Sequence, residues 1–342
     1  MDRNSQPNDT ARTLPRDFNG VTFNDVDAEK AYAAIGRLTN AIESVIVGKH
    51  REIILLITAL IAGGHVLIED VPGVGKTTLA AVLAKAAGLD FRRAQFTPDI
   101  TASDITGFNI YNRSSEQFEF TPGLVMTNVL LADEINRASP KTQSALLEAM
   151  EEGRVTVDGK TYDIPEPFMV IATQNPSGFV GTYPLPEAQL DRFSLKLSMG
   201  YPTLEEEIRI VENRRDRDPL KHVKPAISLS LICFLRALVS DVRIDPELYR
   251  YLVTLVVATR SHNAVALGAS PRASLSLKRL CQAYAFMHSR NYVVPEDVSD
   301  IFRAAVAHRL VLTQEAKLHQ ITCDSVIDEI LRAAPVPVRG AR

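Results

Sequence analysis

The chain has 342 residues, 46% of them apolar and 23% charged, with a net charge of −3. These values describe a globular protein with a substantial core and room for two domains of ordinary size. They give no electrostatic footprint for nucleic acid, leaving room only for a local basic patch.

Residues 1–20 are polar and lack the apolar core of a signal peptide, so they read as a disordered tail. The longest apolar stretch, Ile53 to Ile68, is broken by Gly63-Gly64-His65 and reads as a helix followed by a strand. It is too short to span a bilayer, which implies a cytoplasmic protein without direct membrane insertion. Glu69–Thr78 then joins an apolar run to a helix-forming run through a loop ending in Gly75-Lys76-Thr77. That layout is a phosphate-binding loop, in which backbone N–H groups and a helix N-terminus cradle a polyphosphate. Lys76 can reach the terminal phosphates and Thr77 can ligate Mg²⁺. Asp70 stands where the usual pattern has its first glycine.

Short apolar segments at Phe91–Phe96, Asn128–Asp133, Phe168–Thr173 and Phe193–Ser198 join His65–Glu69 as strand candidates, and helix-like segments alternate with them. This predicts a mostly parallel sheet covered on both faces. Gly107–Tyr111 and Gln117–Phe120 predict a hairpin insertion, and Arg154–Tyr162, turning at Asp158-Gly159, predicts a second. Between them Ser139-Pro140 marks a helix start. From Thr203 the helix starts recur: a capping box at Thr203 and Glu206, then Asp245-Pro246, Ser270-Pro271 and Pro295. The expected organisation is a tail (1–20), an α/β nucleotide-binding domain (21–200) and a small all-α lid (201–342). Cys233, Cys281 and Cys323 fall in apolar helical contexts without metal-ligand spacing and read as inert thiols of a reducing compartment.

Asn128–Glu134 is an apolar strand ending in two carboxylates, and in a parallel sheet it ends at the same rim as the phosphate loop. Asp133 can hold Mg²⁺ while Glu134 polarises an attacking water. Gln174-Asn175-Pro176 follows the next strand, so the Asn175 amide would sit beside Glu134. Arg192 reads on its own as an ordinary surface arginine. Arg272 lies in the first turn of a capped helix, where the helix dipole disfavours a cation and a facing anion would relieve the mismatch.

Taken together these motifs resemble the AAA+ ATPases, and within them the MoxR family. The resemblance rests on Glu69–Thr78, Gln95–Asp99, Ser103–Gly107, Asp133–Ala138, Gln143–Met150, Ala172–Pro176, Leu190–Phe193 and Gly268–Arg272, and runs from Val47-Gly48 to His308-Arg309-Leu310. It implies an AAA+ core with a helical lid that hydrolyses ATP with Mg²⁺. It implies Gly73, Val74, Gly75, Lys76, Thr77 and Thr78 at the phosphates, and Ile46, Val47 and Gly48 at the adenine. Thr77 and Asp133 would hold the metal, Glu134 would be catalytic, with Gln95 as its switch partner, and Asn175 would be sensor 1. Arg192 would be an arginine finger for a neighbouring subunit's ATP, and Arg272 would be sensor 2, reaching from the lid. The implied assembly is a homo-oligomeric ring, expected to be hexameric, that remodels or matures protein clients with a von Willebrand factor A-domain partner. Tyr111, Phe118, Phe120 and Tyr162 on the hairpins could grip a client or simply pack across strands. Two other readings remain open at this level: a nucleic-acid motor, and a non-catalytic ATP-dependent switch.

Overall fold

A computed structural model of the chain describes residues 25–174, 182–213 and 219–337. Helices α1 (Asp25–Glu43) and α2 (His50–Ala62) precede β1 (Val66–Glu69), α3 (Lys76–Ala86), β2 (Phe91–Gln95) and α4 (Ala102–Thr106). The hairpin β3 (Gly107–Asn112) and β4 (Gln117–Pro122) follows, then β5 (Val129–Asp133), α5 (Pro140–Glu152) and a second hairpin, β6 (Arg154–Val157) and β7 (Lys160–Asp163). Strand β8 (Met169–Gln174), α6 (Glu187–Leu190) and β9 (Leu195–Leu197) complete the first part.

The main sheet runs β2-β5-β8-β1-β9 with every pairing parallel. Successive side chains on a strand point to opposite faces. Val66, Ile68, Val129, Leu131, Met169 and Ile171 therefore enter one apolar cluster with α1, α2 and α3. Leu67, Leu130, Ala132, Val170 and Ala172 enter another, against α5. Burial on both faces is why the strands read as unbroken apolar runs. Parallel register also brings the polar strand ends to one rim: Glu69 lies opposite Gln174, and Gln95 opposite Asp133.

Beyond β9 the chain becomes helical: α7 (Leu204–Asn213), α8 (Pro219–His222), α9 (Leu229–Ser240), α10 (Pro246–Ser261), β10 (Val265–Leu267), α11 (Pro271–Met287), α12 (Pro295–Val306), β11 (Val311–Leu312), α13 (Gln314–Leu318) and α14 (Cys323–Ala333). The expected caps form. Thr203 and Glu206 bond reciprocally, and Ser139, Asp245 and Ser270 each accept a backbone N–H of the helix they open. The lid is helical but not purely so, because β10 and β11 pair antiparallel. Strands of two and three residues carry no periodicity that a sequence reading could detect. Helix α11 packs on α2, and Tyr32 of α1 meets Phe286 at 5.0 Å between ring centroids, so lid and core share one apolar cluster. Among the described residues no helix is long and apolar enough to cross a membrane.

Candidate active site

The phosphate loop leaves β1 and enters α3 through two left-handed glycines, Gly73 at φ 88° and Gly75 at φ 93°. Gly75 caps α3 without a side-chain hydrogen bond, so no side chain competes for the N–H groups of the first turn. Lys76 is buried, and its ammonium donates to the carbonyls of Asp70 (2.7 Å) and Val71 (3.3 Å). Burial lowers its pKa, while the carboxylates of Asp70, Asp133 and Glu134 pull it back up. The sheet therefore brings the lysine and both strand-end carboxylates within electrostatic reach of one another.

Asp70 closes a network that the sequence did not disclose. Its Oδ1 accepts the Val71 N–H at 2.9 Å. Its Oδ2 accepts the N–H groups of Met199 (2.5 Å) and Gly200 (2.7 Å) and the Ser198 hydroxyl (3.1 Å). A glycine could not tie the phosphate loop to the segment that leads into the lid. Burial alone would raise this carboxyl; the hydrogen bonds from Gly200, Val71, Met199 and Ser198 outweigh it and hold the pKa below the usual aspartate value.

Between the α1–α2 loop, the phosphate loop and the lid entrance lies a cleft of about 330 Å³, lined by Ile46, Val47, Gly73, Val74, Gly75, Thr78 and Tyr201 among others. Gly48, between the lining residues Val47 and Lys49, is not itself in the lining; it takes φ 74° and faces the Glu206 side chain. Lys49 donates to the Tyr201 carbonyl at 3.2 Å, joining two walls of the cleft.

At the end of β5 the Asp133 carboxylate accepts the Thr173 hydroxyl at 2.6 Å and pairs with Arg93 at 2.8 Å. Glu134 sits at φ 56°, a left-handed conformation that costs a side-chain-bearing residue of order 1–3 kcal/mol. Its backbone N–H is held by the Thr173 oxygen at 2.9 Å, and its carboxylate meets Arg137 at 2.8 Å. Thr173 and Arg93 therefore hold these carboxylates; the sequence places Arg93 only in a strand, and Thr173 in a strand and in the Ala172–Pro176 stretch of the resemblance, with no role for either. Gln95 lies nearby and accepts from Arg93 at 3.4 Å. Asn175 lies outside the described residues.

The two arginines occupy a different place. Arg192 donates to the Leu147 carbonyl at 2.7 Å and lies 2.7 Å from the Glu151 carboxylate. Arg272 pairs with the other oxygen of Glu151. They line a recess of about 170 Å³ with Asp191, Ser276 and Arg309, none of which lines the cleft beside the phosphate loop. Asp191 accepts from Ser270, the cap of α11, at 2.7 Å, and Arg309 approaches it at 3.4 Å. Arg309 and His308 both donate to the Phe193 carbonyl, at 2.8 and 2.9 Å. Burial pushes His308 down to about 3 and Arg309 down to about 10, so at neutral pH the histidine is neutral and the arginine charged. The three cysteines are free thiols, raised by burial, and no group of metal-binding side chains occurs among the described residues.

A parallel sheet with a phosphate loop, a carboxylate-ended strand two places along the same rim and a helical lid define the class of AAA+ ATPases. The family model "ATPase family associated with various cellular activities (AAA)" matches residues 65–195, and the "AAA lid domain" model matches residues 257–330. The chain is 49% identical over 311 residues to "Uncharacterized protein YeaC" of Bacillus subtilis, covering 91% of this chain and 97% of that one. It is 40% identical over 322 residues to "Chaperone MoxR1" of Mycobacterium tuberculosis, covering 91% and 85%. A crystal structure from Cytophaga hutchinsonii matches with a TM-score of 0.85 at 37% identity, covering 92% and 98%. The chain belongs to the MoxR family of AAA+ ATPases, and it binds and hydrolyses ATP.

Proposed function

We propose that this ATPase works as a homo-oligomeric ring, expected to be hexameric, whose ATP sites lie between subunits. The observation that carries the reading is the separation of two half-sites: Gly73, Val74 and Gly75 of the phosphate loop line one cleft, with Lys76 next in the chain, while Arg192 and Arg272 lie in a recess lined by other residues. Arginines that do not line their own cleft are suited to another subunit's. In this reading Gly73, Val74, Gly75, Lys76, Thr77 and Thr78 bind the phosphates, and Val47 and Gly48 lie at the base. Glu134 orients the attacking water, with Asn175 beside it. Thr77 and Asp133 offer the oxygen donors that Mg²⁺ prefers, and the ion when bound would neutralise charge on the phosphate oxygens.

The work done by the ring is chaperone-like remodelling or maturation of protein clients, together with a von Willebrand factor A-domain partner. The name of the M. tuberculosis relative supports the chaperone part. The exposed Tyr111 and Phe118 of the first hairpin supply a surface for a client.

Glu134→Gln should lower turnover by roughly 100-fold or more while ATP still binds, as expected for loss of the group that orients the water; unchanged turnover would refute the assignment. Mixing Arg192→Ala with Lys76→Ala subunits should restore activity, because each lacks a different half of the site. The Glu134→Gln form, loaded with ATP and used as a trap, should retain a von Willebrand factor A-domain protein.

A further inference from the structure

We propose that Glu151 is a positioning residue, holding Arg192 and Arg272 together as a two-armed unit for the phosphates of a neighbouring subunit's ATP. The proposal rests on the interfacial reading above. Each oxygen of the Glu151 carboxylate faces one arginine, Oε2 toward Arg192 at 2.7 Å and Oε1 toward Arg272. Two guanidinium groups brought side by side repel each other, and a carboxylate between them offsets that repulsion and fixes their spacing. A guanidinium carries five N–H donors in a rigid fork. Among the described residues, Glu151 engages Arg272 through Nη2, and Arg192 through the same Nη1 that meets Leu147. The remaining donors are left for an anion.

The location of Glu151 also calls for an explanation. It lies in the last turn of α5, where the helix dipole disfavours a carboxylate. Its neighbour Glu152 is an ordinary surface case, pairing only with exposed Arg154 at 3.2 Å. Glu151 instead meets one cation from the turn before β9 and one from the first turn of α11, elements far apart in sequence. The helix it ends also begins just after Glu134, and a helix of this length spans about 20 Å. One rod therefore joins a subunit's own carboxylate pair to the arginines it would lend to the next subunit.

Glu151→Ala should keep a melting temperature close to wild type, because its partners are part-exposed. Turnover at saturating ATP should fall roughly 10–100-fold, the scale of a misplaced catalytic group, with KM for ATP within about twofold. Glu151→Gln should fall between, since an amide offers one acceptor oxygen, and Glu152→Ala should match wild type. Glu151→Ala subunits mixed with Lys76→Ala subunits should recover several-fold, because the Lys76→Ala neighbour lends intact arginines. Wild-type turnover in Glu151→Ala overturns the proposal. So does failure of that mixture to recover while Arg192→Ala mixed with Lys76→Ala does recover, since Glu151 would then act on its own site. If neither mixture recovers, the interfacial reading itself falls.

Discussion

Asp70 is buried, yet it accepts from four donors, three of them backbone N–H groups. Replacing it by Asn would turn an NH₂ group toward some of those donors. Leaving buried N–H groups unsatisfied costs about 1–3 kcal/mol. Urea denaturation at pH 7 should show Asp70→Asn less stable by that amount. The pH dependence follows from the lowered folded-state pKa. The stabilisation is present above the unfolded value near 3.8 and is lost as pH falls through the folded one, so the gap between variant and wild type should narrow only below about pH 3.8. The sequence showed an aspartate where the usual loop has glycine, compatible with the MoxR-type loop, but not what the side chain does. Its meaning was not legible because three of its four partners lie 128 to 130 residues away and two of those are backbone groups, which no residue type announces. Glu151 was illegible for a related reason: next to Glu152, at the end of an amphipathic helix, it has the look of a solvated charge. Asp133 and Glu134 were legible because they end an apolar run that a parallel sheet must bury up to that point.

Among the elements, the two hairpins divide their aromatic residues between two jobs. Phe120 and Tyr162 stack with ring centroids 3.8 Å apart, and Asn109 donates to Asp158 at 2.7 Å, so the hairpins hold each other. Tyr111 and Phe118 meet edge to face at 5.3 Å, but they are 49% and 72% exposed. A double-mutant cycle on Phe120 and Tyr162 should give a coupling of about 0.5–1.5 kcal/mol. Phe118→Ala should change stability by about 0.5 kcal/mol or less. A coupling near zero in the first pair would mean that the hairpins stand independently. The second hairpin was readable in advance because Asp158 and Gly159 both take positive φ, at 50° and 79°, as the tight turn requires. How the two hairpins lean together was not, since a stacking pair 42 residues apart leaves no mark in either segment alone.

For the whole molecule, the interfacial reading proposed above makes activity a property of association. ATP turnover per subunit should rise with protein concentration and then level off, and Arg192→Ala should stay low throughout, because a finger supplied from a neighbour is worth roughly 10³–10⁵ in rate. Turnover per subunit that is independent of concentration, at dilutions where light scattering shows monomers, would count against assembly. The alternation of strands and helices made the core legible, and the run of capping signals made the lid legible. The way the lid grips the core was not, because Ser270, His308 and Arg309 look like a helix cap and two terminal residues until the fold places them against Asp191 and Phe193.

That grip also sets an order of events at the ribosome. Arg309 reaches back 116 residues to the Phe193 carbonyl. At synthesis rates of about 5–20 residues per second, those residues take about 6–23 seconds to make. Within the first few residues of that interval the last strand of the main sheet, β9, is made, so for nearly all of it the phosphate loop and every strand have been translated while the turn carrying Arg192 still lacks its clamp. A nascent chain can therefore form the cleft beside the phosphate loop well before the turn carrying Arg192 is clamped from the lid.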